Sequence, residues 1–240
     1  MKHILFVLTL SSSLSVLGQD RALHIKTYED GDSSLWYKWR KELSAQIELD
    51  TIQNTKNNWH FRLWTNKQAI DIWQDSNGDK FGKLTSWTKE FTPGKEEPTN
   101  RIFYKIKLLD SIKTIELIHL IDSTKIKEIP DEDSIQSWRQ GFDGITYIVE
   151  TANTKNYFFK TYWTPRAQDS LKEAIAVQSF VDRSLGVTDS NQIWSDFASR
   201  IPYECYINGG PRVACKILTK RERRKYKKER ENYRQSSRRP

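Results

Sequence analysis

Residues Trp59 to Gln74 carry a pattern that an antiparallel hairpin satisfies in one register. With Asn66-Lys67 as a two-residue turn, Leu63 falls opposite Ile70 and Phe61 opposite Ile72, which makes one apolar face. On the other face Arg62 opposes Asp71, Trp64 opposes Ala69 and His60 opposes Trp73. Charged and apolar partners agree on that register. The Arg62–Asp71 pair reads as structural, because a cross-strand ion pair of this kind contributes little where it is exposed.

The rest of the chain extends the same architecture. After Asp75-Ser76-Asn77-Gly78-Asp79, a strand is expected over 80–91, and Arg101–Leu109 alternates with Ile102, Tyr104, Ile106 and Leu108 on one face. A second hairpin is expected over 145–163. Helical spacing places Leu35, Trp36, Trp39, Leu43 and Ile47 on one helix face, with Lys38, Arg40, Lys41 and Glu42 between them. Further helices are expected at 111–122, from Pro165 onward on Leu171, Ala174, Ile175 and Val181, and at 191–199. These elements predict an α+β fold: one domain of antiparallel β-hairpins covered by a few helices, over 19–218. A body of about 200 residues buries roughly 70% of its chain surface, enough for its own core.

Two segments bear on compartment. Residues 1–18 have the form of a secretory signal, with Lys2, an apolar run from Ile4 to Leu10 and a small residue, Gly18, at the end. Cys205 and Cys215 flank a turn at 208–212 that sets Ile207 against Val213 and one cysteine against the other. In an oxidising compartment that geometry favours a disulfide over a reactive thiol. The protein is expected to be secreted or periplasmic. No Asn-x-Ser/Thr sequon is present.

The charge is unevenly placed. The chain carries +8, but residues 216–240 hold twelve Lys and Arg against three Glu, so the body 19–215 is −2. Thr219 and Glu222 form a capping box, predicting that a helical or disordered basic tail over 219–240 begins there. Its Lys220, Arg221, Arg223, Arg224, Lys225, Lys227, Lys228 and Arg230 are candidate anion ligands. The partner would be an anionic polymer or membrane surface, and the attraction would weaken with salt. The bland alternative is a solvated tail that aids solubility. The interior stripe, Tyr226 and Tyr233, is too thin to dock the helix on apolar surface.

Motifs for chemistry are sparse. His24, His60 and His119 lie far apart, and no zinc, nucleophile-elbow, phosphate-loop or dinucleotide pattern occurs, so no cofactor, metal or catalytic residue is nominated. Asp75, Asn77 and Asp79 alternate as calcium ligands do, but Lys80 and Ser86 stand where an EF-hand needs Gly and Glu. Asp143 lies between two glycines, which a tight turn explains. Nine tryptophans exceed what the domain needs. The Trp64/Trp73 face, with His60 and Arg62, is the candidate binding surface for a glycan or peptide, since the opposite face already supplies the core. The leading expectation is a non-enzymatic exported binding or scaffold domain. The alternatives are an envelope hydrolase of glycans or peptides and an aromatic-face carbohydrate-binding module.

Overall fold

The 59–74 hairpin forms in the expected register, with Leu63 opposite Ile70, Arg62 opposite Asp71 and His60 opposite Trp73. The Thr65 hydroxyl oxygen accepts from the Lys67 and Gln68 amides and closes its turn. The structure, a computed structural model, describes residues 21–28, 31–168, 170–207 and 212–236. Residues 1–18, expected to be a secretory signal, and residues 208–211 of the expected turn at 208–212 lie outside the described residues.

In chain order the elements are β1 (Ala22–His24), α1 (Leu35–Gln46), β2 (Trp59–Trp64), β3 (Gln68–Gln74), β4 (Lys80–Phe91), β5 (Ile102–Leu108), α2 (Ser111–Thr124), β6 (Thr146–Asn153), β7 (Asn156–Trp163), α3 (Lys172–Val187), α4 (Ser190–Ser199), β8 (Cys205–Ile207), β9 (Val213–Cys215) and α5 (Lys220–Ser236). The nine strands make one curled sheet in the order β1-β7-β6-β2-β3-β4-β8-β9, with β5 also on β4. Every pairing is antiparallel except β1 on β7. The two hairpins join through β2 and β6, where Leu63 meets Val149 and Arg62 meets Glu150. Lys89 pairs with Ile102 on one edge and Ile207 on the other, so β8 continues the edge of β4 that β3 leaves.

Strand alternation divides the core into two layers. Phe61, Leu63, Ile70, Ile72 and Leu84 face Leu117, Ile118 and Ile121 of α2 and Val177, Phe180 and Val181 of α3. Trp64, Ala69, Trp87, Ile148 and Phe159 face the other way, against Leu43 of α1 and Ile47, Leu49 and Ile52 beyond it. Burying each such side chain contributes about 1.5–3 kcal/mol. The central strands are therefore covered on both faces.

Three local expectations change. On α1 the inward stripe is Arg40, Leu43 and Ser44, while Leu35 and Trp39 are exposed. Arg40 displaces the expected aromatic face because its guanidinium lies 4.9 Å from the Trp64 ring and also faces the rings of Trp36 and Trp87. Pro165 opens only a short 3₁₀ turn, and α3 begins at Lys172. The Thr164 and Pro165 carbonyls accept from the Ala167 and Gln168 amides at 3₁₀ spacing, and Ser170 sits at φ 61°, so the turn does not run on into a helix. On α3 Val177 and Phe180 supply the buried face and Ile175 is exposed.

The α2 layer seats closely on β4 at Gly82. A Cβ there would lie 2.9 Å from both Ile72 Cδ1 and Thr114 Oγ1. Gly82→Val is expected to destabilise the fold by roughly 1–3 kcal/mol through overpacking. Equilibrium urea denaturation checks this, and a variant as stable as the parent would show that α2 does not rest there.

Candidate functional site

The four residues nominated on the second face of the hairpin occupy two different environments. His60, Arg62 and Trp64 are buried, and Trp64 has no exposure at all. This corrects the expectation of an open aromatic face. The strands have a second core layer, closed by α1 and by Ile47, Leu49 and Ile52. Only the end of that face stays accessible. There Trp73, half-buried, stacks on Phe81 with ring centres 5.5 Å apart, and Phe81 is 42% exposed.

Beneath α1 the polar side chains form a connected charge network. Asp71 Oδ1 lies 2.6 Å from Arg62 Nε and 2.9 Å from His60 Nε2. Arg62 also donates to the Asp50 carbonyl, and Lys83 Nζ reaches the Asp50 carboxylate at 2.6 Å. Glu150 accepts from Trp64 Nε1 and from the Tyr157 hydroxyl. Burial works against the Asp71 carboxylate, but Arg62 and His60 outweigh it and hold its pKa down to about 2. Burial pulls Arg40 down to about 10, with the Glu150 charge opposing. Burial and Glu150 push the Tyr157 hydroxyl well above its ordinary range.

The cavity over this network, between α1 and residues 50–53, measures about 30 Å³. That is room for a water or two rather than for a substrate. The arrangement sets charges from β2, β3, β4 and β6 against one another, although Asp71 Oδ2 and Arg40 Nε are left without a hydrogen-bond partner. Sequence reasoning placed Arg40 among solvent-facing residues and did not connect Glu150 or Asp50 to the hairpin.

The basic tail is the second candidate, and it is a helix with one face attached to the body. Thr219 and Glu222 exchange the bonds of the expected capping box, and those bonds hold the Glu222 carboxyl below its ordinary value. Cys205 and Cys215 are disulfide-bonded, tying the strand that leads into α5 to β8 and hence to β4. Arg230 lies 3.4 Å from both Glu90 and Glu204, and Arg223 lies 3.3 Å from Glu204. Glu90, which is buried, also accepts from Arg101 and Thr99. Lys216 reaches the Ile201 carbonyl and the Tyr226 hydroxyl.

Arg223, Tyr226 and Arg230 stand at helical spacing, so one stripe of α5 faces the body. The docking expected to fail for want of apolar surface is thus achieved by ion pairs to two glutamates. Among the described side chains, the remaining cations of α5 divide into two sets. Lys220, Arg224 and Lys227 join Arg223 and Arg230 along a groove beside Pro93. Arg221, Lys225 and Lys228 are exposed and share a face at spacings of four and three. Arg238 and Arg239 lie outside the described residues.

Other candidates resolve into local structure. The Asp75 carboxylate accepts from the Asn77 and Asp79 amides, which is a turn. Among the described residues no three His, Cys, Asp or Glu side chains are grouped so as to hold a metal ion. A side chain at Gly144 would collide with Thr164 and Trp163, so the bend around Asp143 packs closely on the end of β7. No helix among the described residues is long and apolar enough to cross a membrane. No family model matches the chain, and no curated protein matches it.

The buried network makes a direct prediction. Asp71→Asn leaves Arg62 buried without its counter-charge and is expected to cost about 3–5 kcal/mol. Because the folded-state pKa of Asp71 is depressed to about 2, its contribution is fully present above its unfolded value near 4. It is lost as pH falls from there toward 2. Denaturation midpoints of parent and variant at neutral and acid pH measure both effects. Equal midpoints at neutral pH would remove the pair from the account of stability.

Proposed function

We propose that the protein is an exported binding or scaffold domain that engages anionic surfaces through α5. One observation carries this reading: the helix is attached by Arg223, Tyr226 and Arg230 while Arg221, Arg224 and Lys228 stay exposed. A solvated tail has no reason to be held at fixed orientation. Here two glutamates and a disulfide-tied strand orient it, which reduces the entropy lost when a partner binds. Oxidation of Cys205 and Cys215 suits the exported compartment implied by the signal at 1–18. The partner class is one with closely spaced negative groups, whose attraction to Lys and Arg is strong at low salt and screened at high salt.

The test neutralises outward cations and keeps the anchors. In Arg221→Gln/Arg224→Gln/Lys225→Gln/Lys228→Gln, retention on a phosphate-bearing matrix is expected to shift to much lower salt with the melting temperature unchanged. At an anionic membrane each charge is worth about 1 kcal/mol. Elution of the variant at the same salt as the parent would contradict the proposal.

A second reading keeps the carbohydrate-binding alternative in reduced form. It is favoured by the Trp73–Phe81 stack at the open end of the sheet face. Phe81→Ala is expected to abolish retention on an immobilised glycan while leaving retention on phosphate intact. Glycan retention unaffected by the change would dispose of that reading.

A further inference from the structure

The segment joining β8 and α5 adds an apolar element to the cationic one. Val213 and Ile217 are both exposed, Ile217 completely, although β9, which carries Val213 and ends two residues before Ile217, is tied by the Cys205–Cys215 bond. Lys216 between them turns inward to Ile201 and Tyr226. Arg212, Lys220 and Arg221 on either side are exposed. Two aliphatic side chains thus stand among exposed cations, immediately before the helix that carries nine of the chain's 39 Lys and Arg.

Resting on the α5 reading, we propose that the anionic partner is a phospholipid bilayer, with Val213 and Ile217 entering the acyl boundary while α5 meets the headgroups. A soluble polyanion satisfies the cations and leaves both aliphatic side chains in water. A bilayer satisfies both. Apolar burial and attraction to anionic lipid act together in interfacial binding, and neither alone anchors a protein firmly. The disulfide ties β9 to β8, and Ile217 lies three residues before Lys220, so the aliphatic pair is close in the chain to the cations it would act with.

The experiment is co-sedimentation of the full chain with phosphatidylglycerol-containing vesicles, with pure phosphatidylcholine vesicles and soluble polyphosphate as comparisons. The parent is expected to sediment with the anionic vesicles at low salt. Val213→Ser/Ile217→Ser is expected to lower that partition about tenfold and to leave polyphosphate binding unchanged. Ile217→Trp is expected to raise vesicle partition. Both side chains are exposed, so circular dichroism of the variants should match the parent. Vesicle binding indifferent to both changes overturns the bilayer proposal and leaves the α5 reading intact, as does a parent that binds polyphosphate but not vesicles. A parent that binds neither overturns the α5 reading as well.

Discussion

The two-sided burial of β2 and β3 is the constraint on which the other layers rest. Phe61, Leu63, Ile70 and Ile72 bring α2 and α3 onto one face. On the other, Arg62 and Asp71 lie inside the protein and must be neutralised where they stand. Burying an ion pair is costly unless its remaining groups find partners. His60, Asp50, Lys83, Glu150 and Tyr157 are drawn into position around it. The covering helix follows the same logic: α1 contributes Arg40 against three tryptophan rings, a cation that apolar packing alone would have excluded.

At the far end of β4 the same residue chemistry has a different use. Glu90 is a buried carboxylate shared by Arg101 and Arg230, and through it the last helix is fastened to the sheet. The charge of the chain thereby becomes geometry. Cations paired with Glu90 and Glu204 fix the helix, and those left over define the face it offers. A near-neutral body and a strongly basic helix are joined by these ion pairs and by the Cys205–Cys215 bond before the helix.

What could be read in the sequence was what depends on neighbours in sequence. The register of the 59–74 hairpin, the Cys205–Cys215 pairing and the Thr219–Glu222 cap each involve groups close along the chain, and each forms as expected. What escaped depends on distant partners. Arg230 meets Glu90 across 140 residues, and Trp64 finds Glu150 across 86, so neither contact leaves a local pattern. Helical spacing assigned Leu35 and Trp39 inward, and only the stacking of Arg40 on Trp64 turns the helix the other way. Pro165 gives a start signal, but the residues after it close a 3₁₀ turn and Ser170 takes a left-handed backbone, which delays the helix to Lys172. The second strand face reads as wet because it carries His60, Arg62 and Asp71, and it is dry because α1 and Ile47, Leu49 and Ile52 cover it.

The central claim is that the protein meets its partner through α5 and the strand before it, not through the sheet face. Hydrogen–deuterium exchange of the intact chain, free and bound to anionic vesicles, tests this most directly. The account predicts slowed exchange over 212–230, with β2, β3 and α1 unchanged. Protection appearing instead over α1 and residues 50–53, or around Trp73 and Phe81, with α5 unaffected, would contradict it.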